Sequence, residues 1–567
     1  MKLSNIKKRY KIIVVSIAII FSSLGFIAVN EDINFEITKN LDIYFTLFRE
    51  LNIFYVDETD PGELIKTSID AMLKSLDPYT NYIPEADIEN YKLMTTGKYG
   101  GIGALIRKGD DYIIISDPYE GKPAQLAGLK SGDMIIEIGG DDVKGKTTKQ
   151  VSEKLKGSPN TELKLKIKRP GTDKALDFTI TRKEIKINNV PYYGMINDSI
   201  GYLRLSRFTT DAAKEVKNAV SSLKKQNAKG IIFDLRGNPG GLLMEAIKIS
   251  NIFVDKGEEI VSTKGKVSQW DKEYKAMFAP VDTQIPLVVL INSQSASASE
   301  IVSGSLQDLD RAVIIGERSF GKGLVQSTRK LSYNAQLKVT IAKYYIPSGR
   351  CIQALDYTNR REDGSVGKVP DSLITEFKTK KGRIVKDGGG ILPDIIHEGE
   401  FMSPIAVSLV TKNLIFNYAT EYTLKHDSIP SARNFKFTDE DYKNFITWLQ
   451  DKEFDYETKS NKDLEELIDI AKKEKYYEQS KEAFTELTAK LAHDKDKDLQ
   501  TFKKEIVELL SEEIVSRYYY QKGKMEAILK TDPIIEKAVS VLNDTKKYNA
   551  ILDGTCKEGN HQLKAQE

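Results

Sequence analysis

Strand and helix patterns alternate between residues 200 and 346, and this alternation constrains the fold more than any other feature of the chain. Apolar runs of strand length are separated by segments whose apolar residues recur at helical spacing. Such alternation predicts a layered α/β core in which helices cover a largely parallel sheet. The predicted strands are residues 200–205, 230–235, 286–291 and 312–315, and a helix is predicted to begin near Ser297.

The pattern changes outside this core, so the 567 residues are divided among several domains. Between residues 41 and 82 the apolar residues have helical spacing, whereas short β-rich runs between glycine turns follow from about residue 98. We predict a multidomain α/β protein with an N-terminal segment 1–30, a helical domain 31–97, a β-rich domain 98–185, an α/β core 186–402 with an exposed charged insertion 356–386, and a C-terminal helical region 403–567.

The N-terminus carries an export signal in its sequence pattern. Four basic residues precede an uncharged apolar run, residues 12–29. Its length favours an uncleaved membrane anchor, while Ser22, Ser23 and Gly25 are compatible with cleavage instead. Because basic flanks stay in the cytoplasm, the rest of the chain is expected to face the periplasm, either anchored in the inner membrane or released.

Charge and cysteine content exclude several classes of partner. The chain has 84 basic and 82 acidic residues, which argues against a nucleic-acid partner. Cys351 and Cys556 form no CxxC pair, and neither a HExxH motif nor a P-loop is present, so no metal or other cofactor is expected. Three of the four histidines follow the α/β core, which leaves His397 as a weak alternative catalytic base.

A serine-rich turn joins a predicted strand to a predicted helix at residues 292–301. A serine at a helix N-terminus lies near free backbone N–H groups that stabilise an oxyanion, although most such serines are simple helix caps. Ser295, Ser297 and Ser299 are all candidates for a nucleophile, and residue types alone do not choose among them.

Two further segments contain residues suited to hydrolysis. Lys322 lies between glycines just after a predicted strand, and a lysine acts as a general base when burial lowers its pKa, although most lysines are surface residues. Gln326 follows four residues later. The turn 234–241 ends a predicted strand and contains Gly240 and Gly241, which either form an ordinary βα turn or direct backbone amides inward.

These three motifs, together with the segments 76–80 (LDPYT) and 347–350 (PSGR), resemble those of the carboxyl-terminal processing proteases, also called tail-specific proteases. The resemblance covers residues 41–394. It implies that Ser297 is the nucleophile, that Lys322 is the general base and that Gln326 orients the lysine. It further implies that the backbone amides of Ala298, Gly240 and Gly241 form an oxyanion hole. Asp308 also matches a position of the family, where the resemblance implies a structural role.

The β-rich domain resembles a PDZ domain, which binds a peptide as an added strand. The segment 99–104 (YGGIGA) corresponds to the loop that holds a terminal carboxylate. The resemblance implies that the carboxylate is bound by backbone amides of Gly101, Ile102, Gly103 and Ala104.

We therefore predict a serine endopeptidase that recognises substrate C-termini and cleaves exported proteins near them. The expected partners are proteins or peptides with free C-termini and, through the N-terminal segment, a membrane. A homo-oligomer and an adaptor protein remain open as further partners. The alternatives are a PDZ scaffold with an inactive core and an acyl-ester or thioester hydrolase, because a fold does not fix a function.

Overall fold

The computed structural model describes residues 34–361, 364–399, 401–491 and 494–556. The apolar run 12–29, predicted to be an export signal, lies outside these ranges. Within them, no helix combines the length and the apolar character that crossing a membrane requires. The chain forms two compact units, Met1–Tyr82 and Ile83–Glu567.

The first unit contains two helices, α1 over residues 34–54 and α2 over Pro61–Lys74. Asp60 caps α2, because its side chain accepts hydrogen bonds from the backbone of Gly62 and Glu63. The predicted helical pattern is confirmed here. Several apolar residues of these helices are exposed, among them Phe35 at 66% and Met72 at 60%, whereas Leu73 is buried.

The PDZ-like segment is built around an antiparallel sheet. Its strand order is β3-β4-β5-β7-β8, with β6 paired to β5, and β2 pairs separately with β9. The strand β3 is therefore an edge strand, since among the described residues it pairs only with β4. In chain order from residue 81 to residue 186, the elements are β1 Asn81–Ile83, a 3₁₀ turn Glu85–Asp87, α3 Ile88–Thr96, β2 Lys98–Gly101, β3 Ala104–Lys108, β4 Ile113–Pro118, α4 Pro123–Leu126, β5 Met134–Ile138, β6 Asp141–Asp142, α5 Thr148–Leu155, β7 Glu162–Lys168, β8 Leu176–Thr181 and β9 Lys183–Lys186.

The α/β core contains a six-stranded sheet in the order β10-β11-β12-β15-β16-β23, and all its pairings except β10 with β11 are parallel. A second sheet includes β14, β13, β18 and β17. The elements are β10 Tyr192–Met195, β11 Ile200–Arg204, α6 Ala212–Lys225, β12 Gly230–Asp234, α7 Leu243–Ser250, β13 Glu259–Gly265, a 3₁₀ turn Ser268–Trp270, β14 Lys272–Lys275, β15 Leu287–Ile291, α8 Ala298–Asp308, β16 Val313–Gly316, β17 Leu324–Lys330, β18 Gln336–Tyr345 and β23 Ile395–Ile396.

Both faces of the six-stranded sheet are buried, which explains why its strands are continuous apolar runs. On one face, Phe233 and Val289 join a core with residues of α6, α7 and α8. On the other face, Ile232 and Val288 pack with the C-terminal helices α16, Pro533–Asn543, and α17, Thr545–Leu552. The predicted α/β layering is confirmed, and its second helical layer comes from the end of the chain.

The charged insertion forms two hairpins, and only part of it is a surface excursion. Arg383 in the second hairpin forms ion pairs with Asp310, at 2.7 Å, and with Asp394, at 2.5 Å, and all three side chains are nearly buried. These buried pairs anchor the hairpin to the core, contrary to the prediction of an exposed insertion throughout. The strands are β19 Leu355–Arg360, β20 Val366–Lys368, β21 Glu376–Lys378 and β22 Ile384–Lys386, with a 3₁₀ turn Asp371–Leu373 between the hairpins.

The C-terminal helical region has a core of its own, formed by apolar residues of α9, α10, α11, α14 and α15. The helices α16 and α17 pack against the six-stranded sheet, together with Met525 near the end of α15. The helices before them are α9 Pro404–Thr411, α10 Leu414–Lys425, α11 Asp439–Leu449, α12 Lys459–Lys473, α13 Tyr477–Leu491, α14 Lys495–Thr501 and α15 Lys503–Ile528.

Candidate active site

The three sequence motifs follow three neighbouring parallel strands of the core sheet. Residues 235–241 follow β12, residues 292–297 follow β15, and residues 317–323 follow β16. Because these strands are paired in parallel, their carboxyl ends lie at one edge of the sheet. The topology therefore brings together segments that are up to 88 residues apart in sequence, from residue 235 to residue 323.

Ser297 immediately precedes α8 and has an unusual backbone conformation, with φ of 56° and ψ of −111°. A serine with positive φ stores strain, and such residues occur preferentially at functional sites. The side chain is partly exposed, while Ala298 and all following residues of α8 are buried. Ser297 thus stands at the entrance of a buried helix N-terminus.

The two neighbouring serines have structural bonds instead. Ser295 is fully buried, and its hydroxyl donates to the Leu235 carbonyl at 2.9 Å. Ser299 is also fully buried, and its hydroxyl donates to the Asn238 carbonyl at 2.9 Å. Both hydroxyls fasten the serine turn to the adjacent βα turn. The structure thus distinguishes three serines that the sequence left equivalent.

Glu300 links the Ser297 turn to the Lys322 turn. Its Oε2 atom accepts the Ser297 N–H at 2.7 Å and the Lys322 N–H at 2.9 Å. Its Oε1 atom accepts the Gly321 N–H at 2.7 Å and the Ser319 hydroxyl at 2.6 Å. One fully buried carboxylate therefore fixes the backbones of the predicted nucleophile and the predicted base relative to each other.

Burial raises the pKa of Glu300 above its ordinary value, although the four hydrogen bonds favour the carboxylate. Sequence reasoning did not assign Glu300 a role. The pattern of a serine followed three residues later by a glutamate is the sequence form of a capping box, and this was the available signal.

Tyr344 joins the same two turns from the second sheet. Its hydroxyl lies 3.1 Å from the Ser297 carbonyl and within hydrogen-bond distance of the Lys322 carbonyl. The side chain is 1% exposed, so this contact is shielded from water. Tyr344 was also missed, because nothing in a strand residue's sequence context reveals which loop it reaches.

The βα turn after β12 lies directly against Ser297. A Cβ atom on Gly240 would be 2.9 Å from the Ser297 Cβ and 2.8 Å from the Ala298 nitrogen, so only glycine fits there. The Gly240 N–H donates to Asn238 Oδ1 at 2.9 Å. Within the described part of the chain, the N–H groups of Gly241 and Ala298 have no hydrogen-bond acceptor.

The direction of the Gly241 N–H follows from its neighbours. Phe208 donates its N–H to the Gly240 carbonyl and accepts the Leu242 N–H on its own carbonyl, which forms a parallel bridge centred on Gly241. In such a bridge the N–H of the central residue points away from the partner strand. Of the two glycines predicted to form an oxyanion hole, Gly241 therefore has the available N–H.

Gln326 lies in β17, opposite Thr340 in β18, next to an irregularity in the strand register. Its side-chain amide donates to Thr340 Oγ1 at 3.2 Å and to the Leu324 carbonyl at 3.3 Å. Its orienting effect on Lys322 stays a prediction.

Asp308 and Arg350 form a buried ion pair at 2.8 Å, with exposures of 0% and 1% for the side chains. Asp308 also accepts the Ser348 N–H at 3.0 Å. The pair ties the end of α8 to the segment 347–350. This geometry is that of a structural support, as the sequence led us to expect for Asp308.

The predicted carboxylate loop of the PDZ-like segment connects β2 to β3. Gly101, Ile102 and Gly103 are buried, and Gly103 has φ of 75°. The Ile102 and Gly103 carbonyls accept hydrogen bonds from Ala124 and Tyr119. Their N–H groups, in contrast, meet no acceptor among the residues described. An anion is the natural partner for adjacent unpaired N–H groups.

His397, the alternative base expected from the sequence, directly follows β23 in the described part of the chain. His397 Nδ1 lies 3.1 Å from the Glu398 carbonyl at an exposed position. Among the described residues, no group of three or more His, Cys, Asp or Glu side chains is placed to hold a metal ion.

Three family models match the chain. Residues 199–359 match peptidase family S41, residues 92–168 match the PDZ domain, and residues 405–542 match the model described as "Probable PDZ-protease, C-terminal helical domain". The matched order is the order of the β-rich, α/β and helical regions.

Two curated relatives are similar over most of their own length. A carboxy-terminal-processing protease of Bartonella bacilliformis is 39% identical over 324 residues, which cover 56% of this chain and 74% of that protein. A "Probable CtpA-like serine protease" of Staphylococcus aureus strain COL is 35% identical over 342 residues, which cover 59% of this chain and 68% of that protein.

Among solved structures, the photosystem II D1 C-terminal processing protease is 26% identical, with a TM-score of 0.34, and the match covers 63% of this chain and 92% of that chain.

Proposed function

The chain belongs to the carboxy-terminal-processing proteases of peptidase family S41 and is a serine peptidase with a PDZ domain, and we propose that it cleaves through Ser297 and Lys322. The observation that carries this proposal is the contrast among the three serines. Ser297 is partly exposed at a helix N-terminus, whereas the other two hydroxyls are buried and hydrogen-bonded to carbonyls.

In the proposed reaction, Lys322 takes the proton of the Ser297 hydroxyl while the oxygen attacks the substrate carbonyl carbon. The tetrahedral intermediate then expels the amine, which receives the proton, and water hydrolyses the acyl-enzyme. The oxyanion of each intermediate is stabilised by the N–H groups of Ala298 and Gly241, which have no other acceptor in the part of the chain described. Gln326 is proposed to orient the lysine.

The Ser297–Lys322 assignment is tested by labelling with a serine-reactive fluorophosphonate while casein degradation is measured. Wild-type enzyme should be labelled and should degrade casein, whereas Ser297→Ala should do neither. A scaffold with an inactive core would leave casein intact, and an ester or thioester hydrolase would be labelled without degrading casein.

We also propose that the PDZ domain selects substrates by a free C-terminus. The unpaired N–H groups of Ile102 and Gly103 suit a carboxylate, and the open edge of β3 suits a peptide that adds as a strand. The test compares one unfolded substrate with a free and an amidated C-terminus. The free form should be cleaved faster, and equal rates would contradict tail recognition.

Export is proposed from the N-terminal sequence pattern alone. The basic flank and the apolar run 12–29 support an exported enzyme that acts on exported proteins. The measurement is protease accessibility of the folded domains in intact spheroplasts of an expressing bacterium. Protection of these domains until the inner membrane is lysed would contradict the proposal.

A further inference from the structure

The C-terminal helical region reaches the proposed active site through one carboxylate. Asp532 precedes α16, and its Oδ2 atom lies 2.8 Å from the Arg236 guanidinium. Both side chains are mostly buried, with exposures of 11% for Asp532 and 17% for Arg236. An ion pair shielded in this way is far less screened than a surface pair.

Arg236 belongs to the turn that contains the Gly241 N–H. The guanidinium also holds Asp234, with Nη2 at 2.6 Å and Nε at 3.0 Å from its two carboxylate oxygens. Asp234 is the last residue of β12 and is fully buried. Arg236 is therefore clamped between a carboxylate of the protease strand and a carboxylate of the C-terminal region.

The charges of the three groups depend on one another. Burial alone would raise the pKa of Asp234, but Arg236 and Arg204 hold it below its ordinary value. The two carboxylates in turn raise the pKa of Arg236, despite its burial. Asp532 contacts the same Nη2 atom of Arg236 as Asp234 does, and it adds a second negative charge beside this guanidinium.

A continuous set of contacts leads from Arg236 to Ser297. Gly237 donates its N–H to Asn292 Oδ1 at 2.9 Å, which couples the turn to the segment after β15. The Asn238 carbonyl accepts the Ala296 N–H at 3.0 Å and the Ser299 hydroxyl at 2.9 Å. A shift of the turn would therefore move the Gly241 N–H relative to the nucleophile.

We propose that Asp532 is a positioning residue for the peptidase reaction, because it fixes Arg236 and thereby the turn that supplies the Gly241 N–H to the oxyanion. This role gives the C-terminal helical region a part in catalysis. It rests on the proposed function, since it presumes the oxyanion hole of Gly241 and Ala298.

The variant Asp532→Asn removes the ion pair with Arg236 without removing the helix cap. Asp532 Oδ1 accepts the N–H groups of Ile534 and Ile535, and asparagine caps a helix about as well as aspartate. Asn therefore keeps the cap and removes the charge. Asp544→Asn is the matched control, because Asp544 caps α17 by accepting the Lys547 N–H and, in the described ranges, forms no ion pair.

We expect Asp532→Asn to lower kcat for fluorescein-labelled casein about tenfold and to leave KM within about twofold, because the lost stabilisation concerns the transition state. Inhibition by phenylboronic acid, which forms a tetrahedral adduct with a serine hydroxyl, should weaken by a similar factor. Asp532→Glu should recover most of kcat. Asp544→Asn should behave as wild type.

An unchanged kcat in Asp532→Asn, or an equal loss in Asp544→Asn, would overturn the proposal. A lower kcat with unchanged inhibition by phenylboronic acid would also overturn the proposal. That result is expected from a structural defect that does not affect the oxyanion hole. Failure of the proposed function has a different signature: Ser297→Ala would then keep casein degradation, whatever the Asp532 variants do.

Discussion

The nucleophile turn, as we call the proposed turn of residues 292–298, and the predicted carboxylate loop, residues 99–104, both contain backbone N–H groups that have no acceptor among the described residues. The backbone conformation of the two segments differs. In the carboxylate loop, the position with positive φ is Gly103, for which this conformation costs little. In the nucleophile turn, the corresponding position is Ser297, for which positive φ is strained. A site that binds with its backbone alone uses glycine, whereas a nucleophile must carry a side chain.

The strain at Ser297 has to be offset by the surroundings, and the contacts show how. Glu300 accepts the Ser297 N–H, and Tyr344 approaches its carbonyl, so both peptide groups of the residue are held. In the predicted carboxylate loop, the carbonyls of Ile102 and Gly103 accept hydrogen bonds, whereas their N–H groups have no acceptor among the described residues. Ser297 is therefore held at both its N–H and its carbonyl group, whereas Ile102 and Gly103 are held at their carbonyl groups.

The strongest test of the comparison removes the side chain that requires the strain. Ser297→Ala should reduce kcat by about a thousandfold or more, because no other hydroxyl is positioned to attack. Lys322→Ala should be comparably damaging, and the double variant should be no worse than either, since both groups serve one step. Single-turnover cleavage of labelled casein gives these rates. Losses that multiply would argue for separate roles.

A methyl group at Gly240 should be the next most damaging change. The new Cβ would lie 2.6 Å from the Ala296 carbonyl oxygen and 2.8 Å from the Ala298 nitrogen, so the two turns must separate. We expect Gly240→Ala to lower kcat about a hundredfold.

Gly257→Ala is the matched control for Gly240→Ala, because φ is 97° at Gly257 and 96° at Gly240, and no atom lies within 4 Å of the added Cβ at Gly257. Circular dichroism should show both variants folded. Equal activity losses in the two variants would mean that backbone strain, rather than displacement of the oxyanion turn, causes the effect.

Glu300→Gln tests whether the carboxylate clamp makes the reacting site rigid. The glutamine amide has one oxygen that accepts hydrogen bonds, but an NH₂ donor replaces the other oxygen. Depending on the orientation of the amide, this donor faces either the N–H groups of Ser297 and Lys322 or the donors of Gly321 and Ser319. We expect kcat to fall about tenfold or more while the preference for a free C-terminus is unchanged. A change in that preference would contradict the separation of the two sites.

The pH dependence of stability provides a further check on Glu300. Its pKa is raised by burial, so the folded state binds more protons than the unfolded state above about pH 4.5. This contribution to stability is present below pH 4.5 and is lost as the pH rises through the folded-state pKa. Thermal unfolding measured from pH 4.5 upward should show this loss of stability in the wild type and not in Glu300→Gln. An identical dependence of stability on pH in both proteins would contradict a raised pKa of Glu300.

The smallest expected effect concerns the carboxylate loop. A Cβ on Gly103 would lie 2.6 Å from the Lys122 Cβ, at a φ of 75° that disfavours alanine. Gly103→Ala should raise KM about tenfold for a free-tailed substrate and leave cleavage of the amidated form unchanged. Gly139→Ala, at a φ of 64° with open space around the added atom, is the control. A fall in kcat for both substrates would show that the loop also supports the reacting site.

The core strands were predicted within one or two residues because each is buried on both faces and therefore reads as a continuous apolar run. The helix expected near Ser297 begins at Ala298. The packing of the charged helical segments could not be predicted in this way. The sequence shows that α16 is amphipathic, yet nothing in its pattern specifies that Ile535 and Val541 cover the protease sheet rather than the helical core.

The site was predicted in part for a similar reason. The serine, lysine and glycine motifs are recognisable from their residue types and their order in the chain. The three turns that contain them were therefore predicted from the sequence alone. Glu300 and Arg236 were visible inside those motifs without a role, because a buried carboxylate or guanidinium is defined by what it contacts. Asp532 lies nearly 300 residues after Arg236 in the chain, so only the fold reveals the pair.

The sequence by itself determined the order of strands and helices, the candidate residues for acyl transfer and the family that their motifs resemble. Periodicity and residue chemistry are local properties, which is why a linear reading recovers them. The tertiary structure decided which of the three serines is accessible, which glycine N–H has no acceptor in the described ranges and which C-terminal carboxylate contacts Arg236. These depend on burial and on hydrogen bonds between residues far apart in sequence, and such contacts exist only once the parallel strands have aligned their ends.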